Sequence, residues 1–309
     1  MCLMMHGEEV GKFIKGFEDE TGIEDFNYKG ASLWWIVNNR LKEVSSEIYT
    51  DKKKSIFLKK VLQINERFKS IPKKIKKSNS YDLLFFLPKE REIIKDGVIS
   101  YLRVGTTVNK VKEKKIPYSV ELFDKLSKLV SKNPGNLIYN NTTKEINKTA
   151  REQANKLHLE WKLIKRRSRD GTDIARKCIT YLDFWYSKEI LEIIVRYYEI
   201  CYKLLTENKV RCVVLDSTGH LAERTMIMVA NRFNIPCLRL LHGFFPVSAV
   251  RKLDFPKNCY VCVYNKDLKK RYIESGMDKN KVFVTGPTFL DLNKIKELKE
   301  RRKYEVKQS

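Results

Sequence analysis

Nowhere does this chain hold the roughly eighteen consecutive apolar residues that a membrane-spanning helix needs. Its first residues also lack the basic-then-apolar order of a signal peptide, with Glu8 and Glu9 arriving early. A cytoplasmic protein, or one peripheral to the inner face of a membrane, is the expectation. Histidine is scarce, with 4 in 309 residues, and His6, His158 and His220 fall at no metal-ligand spacing, so neither a metal nor another cofactor is expected. The 7 cysteines are scattered and odd in number. Cys201, Cys212 and Cys237 lie inside apolar runs, where a thiol behaves as a small hydrophobe, and this usage fits a reducing compartment rather than a disulfide framework. Cys259 and Cys262 have CxxC spacing, but residues three apart on a strand point to opposite faces and no second Cys or His pair lies nearby. No internal repeat of about 20 to 50 residues is visible.

What the chain has in abundance is positive charge. Lys and Arg total 62 against 38 acidic residues, a net charge of +24, spread from Lys52-Lys53-Lys54 and the run at 73–77 to Arg166-Arg167 and the C-terminal tail. Such an excess points to anionic partners: nucleic acid, phospholipid headgroups or phosphorylated small molecules. A solvated Lys- and Glu-rich surface accounts for the same number equally well. A length of 309 residues with 42% hydrophobic content supports a real core.

The segment at 210–243 organises the rest. Cys212, Val213, Val214 and Leu215 form an apolar run ending in Asp216-Ser217-Thr218-Gly219, which is turn and helix-cap chemistry. Ala222, Met226, Val229, Ala230 and Phe233 recur at helical spacing, and a second apolar run at 235–241 ends in His242-Gly243. A strand, helix and strand of this length imply a right-handed parallel crossover, which delivers polar residues at the carboxyl ends of both strands. Open α/β sheets bind their ligands at those ends. Asp216, Ser217, Thr218 and Glu223 therefore face His242 and Gly243 as candidate site residues.

Three regions follow from the wider pattern. Residues 1–78 read as a mostly helical region packing on the main body, with a helix capped at Ser32 carrying Trp34 and Trp35. That Trp pair suits a lipid or sugar, although packing is the commoner use of buried tryptophan. Residues 50–78 form a Lys-rich amphipathic helix with Ile56, Phe57, Val61, Leu62, Ile64 and Phe68 on one stripe, fit for an anionic membrane surface or for packing on the domain. Residues 79–290 read as a Rossmann-like α/β domain, a parallel sheet with helices on both faces. Its expected strands are 81–87, one within 97–108, 136–139, 210–215, 235–241, 259–264 and 281–285, and its expected helices are 118–130, 144–165, 180–208, 222–233 and 266–275. Arg166, Arg167 and Arg169 in the polar break after 165 suit either phosphate contacts or an exposed loop. Residues 291–309 read as a charged helix or linker.

The succession of a Glu-bearing helix, Ile235-Pro236, an apolar strand, His242-Gly243, a loop at 244–248, Tyr264-Asn265 at a strand end, a helix stopped by Gly276, and Val282-Phe283-Val284-Thr285-Gly286-Pro287 followed by Asp291 resembles a known family. It is similar to the later half of the N-terminal, acceptor domain of GT-B glycosyltransferases, nearest in style to capsule and cell-wall polysaccharide enzymes and glycerophosphotransferases. The likeness covers about 205–292. It implies half of a GT-B architecture, transferring sugar or polyol phosphate from a nucleotide-activated donor to a glycan or lipid-linked acceptor. His242 matches the His-Gly position and suits proton transfer or a hydrogen bond to phosphate. Glu223 matches the acidic helix position and is the second catalytic candidate, orienting His242 or binding acceptor hydroxyls; Asp216, Ser217, Thr218, Asn265 and Gly286 make the substrate-binding set with Gly243, which lets backbone approach ligand. The donor domain of such enzymes would begin after Asp291, so the resemblance implies either a second chain that supplies it or an inactive truncated paralogue.

Two other classes stay open. A basic nucleic-acid-binding protein accounts for the charge, though the chain has no zinc finger, RNP string or compact basic recognition helix. A nucleotide-sugar epimerase-like protein shares the fold. The Lys-rich stretch at 50–78 yields the first test. The full chain should sediment with anionic vesicles and be released as salt rises, because each Lys or Arg near such a surface contributes about 1 kcal/mol. Equal binding to neutral vesicles, or none to either kind, would remove the membrane from the list of partners.

Overall fold

The computed structural model describes residues 2–38, 41, 80–87, 92–95, 98–101, 105–122, 136–137, 142–215, 219–241 and 256–286. The elements in chain order begin with helix α1 (Cys2–Thr21), strands β1 (Asn27–Tyr28) and β2 (Ala31–Ser32), and the short helix α2 (Leu33–Val37). Then come β3 (Ser80–Leu87), β4 (Glu92–Lys95), β5 (Val98–Tyr101), α3 (Gly105–Glu113), β6 (Tyr118–Leu122) and β7 (Asn136–Leu137). Helices α4 (Lys144–Lys165), α5 (Asp173–Trp185) and α6 (Lys188–Glu207) follow. The last are β8 (Lys209–Leu215), α7 (Leu221–Arg232), β9 (Cys237–Leu240), β10 (Cys259–Val263), α8 (Lys266–Glu274) and β11 (Val282–Val284). The Lys-rich stretch at 50–78 and the charged segment at 291–309 lie outside the described residues. Among the described residues no helix is long and apolar enough to cross a membrane.

These elements fall into two compact units. The first is drawn from Met1–Asn79, Asn136–Lys209 and Gly219–Ile235, the second from Ser80–Gly135, Val210–Thr218 and Pro236–Ser309.

The first unit is helical and centred on α6. That helix buries Ile190, Leu191, Ile193, Ile194, Val195, Tyr197, Tyr198, Ile200, Cys201, Leu204 and Leu205, so it is apolar over most of its circumference and packs against α4 and α7. Helix α4 turns Ile146, Ala150, Ala154, Leu157, Trp161 and Ile164 inward at three- and four-residue steps. Helix α1 adds Phe17, whose ring lies 6.0 Å from that of Trp34 and 6.2 Å from that of Trp161. Two buried arginines are tied down within this unit. Arg196 donates through Nε to Asn147 Oδ1 at 2.9 Å and pairs with Glu192. Arg224 lies over the Trp35 ring at 3.9 Å and donates to Asn38 Oδ1 at 3.0 Å and to the Trp35 carbonyl. Trp35 is thereby a structural platform, and Ser32 caps α2 as expected, its hydroxyl accepting from Trp35 N at 3.1 Å. The turn joining β1 to β2 has Lys29 at φ 48 and Gly30 at φ 81. The Lys29 carbonyl accepts from Tyr198 Oη at 3.1 Å and from Arg232, and the Lys29 ammonium meets Glu199 at 2.7 Å.

The second unit is built on a parallel sheet whose hydrogen-bonded order includes β11-β10-β9-β8-β3-β6. Strand β3 is laid down centrally, β6 adds on one side, and β8, β9, β10 and β11 then build outward on the other, as in Rossmann-like sheets. Arg211 and Asp82, each the third residue of its strand, meet at 3.3 Å across β8 and β3. At the far edge β11 leaves Phe283 and Val284 exposed. The mixed α/β fold expected from the sequence is the observed one.

Three local expectations are corrected. Residues 118–122 form strand β6 rather than the start of a helix at 118–130, with Leu83 to Leu87 opposite Tyr118 to Leu122 in register. Alternation of Tyr118, Val120 and Leu122 with Ser119 and Glu121 directly after Pro117 is a strand signal that pairing with β3 enforces. The segment expected to add a parallel strand within 97–108 instead forms β5, antiparallel to β4 in a separate two-stranded sheet, followed by helix α3. The helix expected at 180–208 is two helices, because Tyr186 leaves helical geometry at ψ 20 and Ser187 is extended at ψ 155. Tyr186 sits edge-on to Phe26 at 5.2 Å and against Trp161 at 4.7 Å, and that burial outweighs helix continuity.

Helix caps provide a graded test of this reading. Thr143 Oγ1 accepts from Ile146 N and Thr172 Oγ1 from Ala175 N, whereas Ser187 makes no side-chain cap hydrogen bond. Thr143→Ala and Thr172→Ala should each lower the unfolding free energy by about 1 kcal/mol, and Ser187→Ala by far less. Urea denaturation of the three variants checks this, and equal losses at all three would contradict the cap assignment.

Candidate functional site

By chain position, most of the residues singled out from the sequence follow strands that end at the carboxyl edge of the parallel sheet. Arg239 on β9 stands opposite Leu215 on β8 and Val261 on β10, and Val261 stands opposite Val282 on β11. From that row β8 ends at once, β9 one residue later at Leu240, and β10 and β11 two residues later at Val263 and Val284. The four strands thus finish almost level. By chain position, Asp216, Ser217 and Thr218 follow β8, His242 and Gly243 follow β9 one residue after Leu241, Asn265 follows β10 and Gly286 follows β11. Asp216, Ser217, Thr218, His242 and Gly243 lie outside the described residues, as does the loop at 244–248.

Asn265 and Gly286 are described in full. Asn265 is the N-cap of α8, extended at φ −149 and ψ 174, and its Oδ1 accepts from Leu268 N at 2.8 Å. That bond commits the carbonyl oxygen of the side chain to the helix. Gly286 has φ +76, a conformation that disfavours any Cβ, and the position is otherwise open, with nothing within 4 Å of the place a Cβ would take. Before it, Thr285 N donates to Val263 O at 3.0 Å, which extends the β10 to β11 ladder by one bond beyond the strand.

Glu223 is placed differently. It belongs to the first unit, is wholly buried at the third position of α7, and its Oε2 accepts from His220 N at 3.3 Å across the start of that helix. The carboxylate is engaged in satisfying a helix-end N–H, which its negative charge does well at the positive end of the helix dipole.

One charged residue at the edge was not singled out from the sequence. Arg239 is 3% exposed, one position before the end of β9. Its signal was a lone arginine inside the apolar run at 235–241, which periodicity alone assigns to the core. The phenol of Tyr264, just past the end of β10, is pushed up to about 12 by burial first and by Tyr272 next, with the charge of Arg239 pulling the other way. Beneath them Leu241, Val261, Val263, Leu268, Tyr272, Met277 and Val282 form one apolar cluster that seats α8 on the sheet.

The cysteines of these strands supply no ready nucleophile. Burial pushes the Cys212 thiol up to about 11, Cys237 well above its ordinary value, and Cys262 in the same direction. Among the described residues no group of three or more His, Cys, Asp or Glu could hold a metal ion. Among the described residues, this end of the sheet carries the Asn265 amide and the Arg239 guanidinium. Set beside known proteins, the chain matches no family model, no curated protein and no solved structure.

The placement of Glu223 separates a capping role from an ionic one. Glu223→Gln keeps a carbonyl acceptor for His220 N–H and should unfold close to wild type, whereas Glu223→Ala should lose about 1 to 2 kcal/mol. Chemical denaturation of the pair checks this. Equal losses in both variants would show that the charge, not the cap, is what the site requires.

Proposed function

We propose that the second unit binds a nucleotide-activated or otherwise phosphorylated small molecule at the carboxyl edge of its parallel sheet, as the acceptor-side half of a GT-B-type glycosyltransferase. The observation that carries this reading is the strand order. The chain reverses direction of growth between β3 and β8, and ligands of open α/β sheets sit outside the carboxyl ends of the strands at such a reversal. Asp216, Ser217 and Thr218 follow β8 directly and thus enter the chain beside that reversal.

In this reading the residues divide the work by their chemistry. The Asp216 carboxylate and the Ser217 and Thr218 hydroxyls accept from sugar or polyol hydroxyls. His242 takes the acceptor hydroxyl proton or donates to phosphate, since an imidazole can do either near neutral pH. Gly243 admits ligand close to the backbone, and Asn265 Nδ2 donates to a ligand oxygen. Gly286, at positive φ, lets the chain turn away from β11. The resemblance noted at 205–292 supports transfer of sugar or polyol phosphate in surface glycan or glycolipid synthesis, with a donor-binding domain as the partner. The net charge of +24 supports an anionic ligand or an anionic surface.

Calorimetric titration of the full chain with a panel of nucleotide sugars and glycan acceptors tests the proposal. Wild type should bind at least one of them, and His242→Ala should weaken that binding by roughly tenfold to a hundredfold, the range for a hydrogen bond to a charged group. Its melting temperature should not move. Failure of the wild type to bind any member of the panel, or a variant that melts early yet binds normally, would count against it.

A further inference from the structure

Helix α4 is apolar on two sides. Its inner side, from Ile146 to Ile164, packs on α6. Leu159 and Leu163 leave the helix away from that core and are 59% and 57% exposed, more than any other large apolar side chain among the described residues. Four residues apart, they stand side by side on the helix surface. A lone exposed leucine is ordinary, but an adjacent pair on a helix whose core side is already filled calls for a partner. Cations surround the pair. Lys156 comes three residues before Leu159, Lys162 three after it and Arg166 three after Leu163, and all three are exposed. Ion pairs of α4 and α5 engage Arg151, Lys165 and Arg176, and among the described residues Lys156, Lys162 and Arg166 enter none. Arg167 is held inward, donating to the Thr21 carbonyl at 3.1 Å. The acidic residues nearest in the helix are Glu160, which feels the charge of Arg167, and Glu152, two turns before Leu159. The negative end of the helix dipole explains cations at this end of α4, but not leucines in water.

We propose that the outer side of the last turns of α4 is a membrane-binding surface: Leu159 and Leu163 enter the headgroup boundary of an anionic bilayer, and Lys156, Lys162 and Arg166 meet its phosphates. The inference concerns the first unit alone and does not depend on the reading of the second. Helices that lie on a bilayer divide their work in this way, with apolar side chains buried at the boundary and long basic side chains reaching back to the headgroups. Charge selects the occupant. The Lys-rich stretch at 50–78, or a second copy of this face, would bring like charge against it. A nucleic acid would set the leucines against a charged backbone, where they gain nothing. An anionic bilayer serves both halves of the patch, with negative headgroups above and acyl chains beneath.

The test is sedimentation of the full chain with phosphatidylcholine vesicles, with and without about one-third phosphatidylserine. Three variants are compared with wild type: Lys156→Gln with Lys162→Gln and Arg166→Gln; Leu159→Gln with Leu163→Gln; and Lys270→Gln with Arg271→Gln and Lys279→Gln, an equal loss of exposed charge from the second unit. Glutamine keeps helix propensity at these exposed positions, and thermal melts confirm the fold. The α4 charge variant should bind the anionic vesicles about a hundredfold more weakly, at roughly fivefold for each cation removed. The leucine variant should lose about tenfold, and the second-unit variant should match wild type. In a fourth variant, Leu163→Trp, the new indole should be quenched by brominated acyl chains when the protein is bound. Wild-type affinity in the α4 charge variant, an equal loss in the second-unit variant, or an unquenched indole on bound protein would each overturn the proposal, even where another part of the chain holds the vesicle. Poly-glutamate stands in for an acidic protein partner. Binding to it that depends on both leucines, with none to anionic vesicles, would assign the surface to a protein instead.

Discussion

Parallel pairing of β8, β9, β10 and β11 is the constraint on which the functional argument depends. A parallel strand cannot return by a tight turn, so each must be reached by a crossover, and every crossover starts from the same edge of the sheet. The register then fixes how far each strand projects. Because Leu215, Arg239, Val261 and Val282 share one row, the segments that follow these strands leave from nearly one level. A slip of one residue in β9 would carry Arg239 to the opposite face of the sheet. Burial enforces the register, since Val213, Val214 and Leu215 of β8 and Val261 and Val263 of β10 are all inside.

The first unit solves a different problem. Its central helix α6 shows water only a narrow polar stripe through Glu192, Glu199 and Lys203, so its stability comes mainly from what covers the rest, chiefly α4 and α7. Each fully buried Ile or Leu on it contributes about 1.5 to 3 kcal/mol of transfer free energy, before the entropy of ordering is set against it. Within that apolar interior Arg196 and Arg224 are tolerated because each guanidinium finds acceptors, Asn147 and Glu192 for one, Asn38 and the Trp35 carbonyl for the other. Loss of one acceptor would leave a buried charge partly unmatched, which costs more than the bond itself contributes.

The sequence was most legible where one short-range signal had no competitor. The apolar runs that became β3, β8, β9 and β10 are bounded by turn chemistry, and α4 shows an unbroken three- and four-residue apolar period. Ser32 was visible as a cap because its side chain acts within three residues of itself, whereas Asn265, read as a ligand-binding residue, turned out to cap α8. Where tertiary contacts decided the outcome, the sequence misled. Residues 118–122 carry a pattern open to both helix and strand, and the choice was made by β3, more than thirty residues away in chain position. The break at Tyr186 depends on Phe26 and Trp161, which no local window contains. Arg239 was passed over for a related reason: a lone arginine in an apolar run reads as core until its register partners on β8 and β10 are known. Glu223 carried a correct local signal, an acidic residue in a first turn, and its described partner is that same helix end.

The turn at Lys29 and Gly30 bears on how the protein must be made. Its carbonyl is held by Arg232, 203 residues further on, and by Tyr198. A ribosome adding about 5 to 20 residues per second needs roughly ten to forty seconds to cover that interval. Throughout it Phe13, Phe17, Phe26 and Trp34, all buried in the finished protein, wait for the helices that will cover them. The N-terminal stretch is thus born early and completed late, and a chaperone that shields aromatic segments on nascent chains has a long window in which to act on this one.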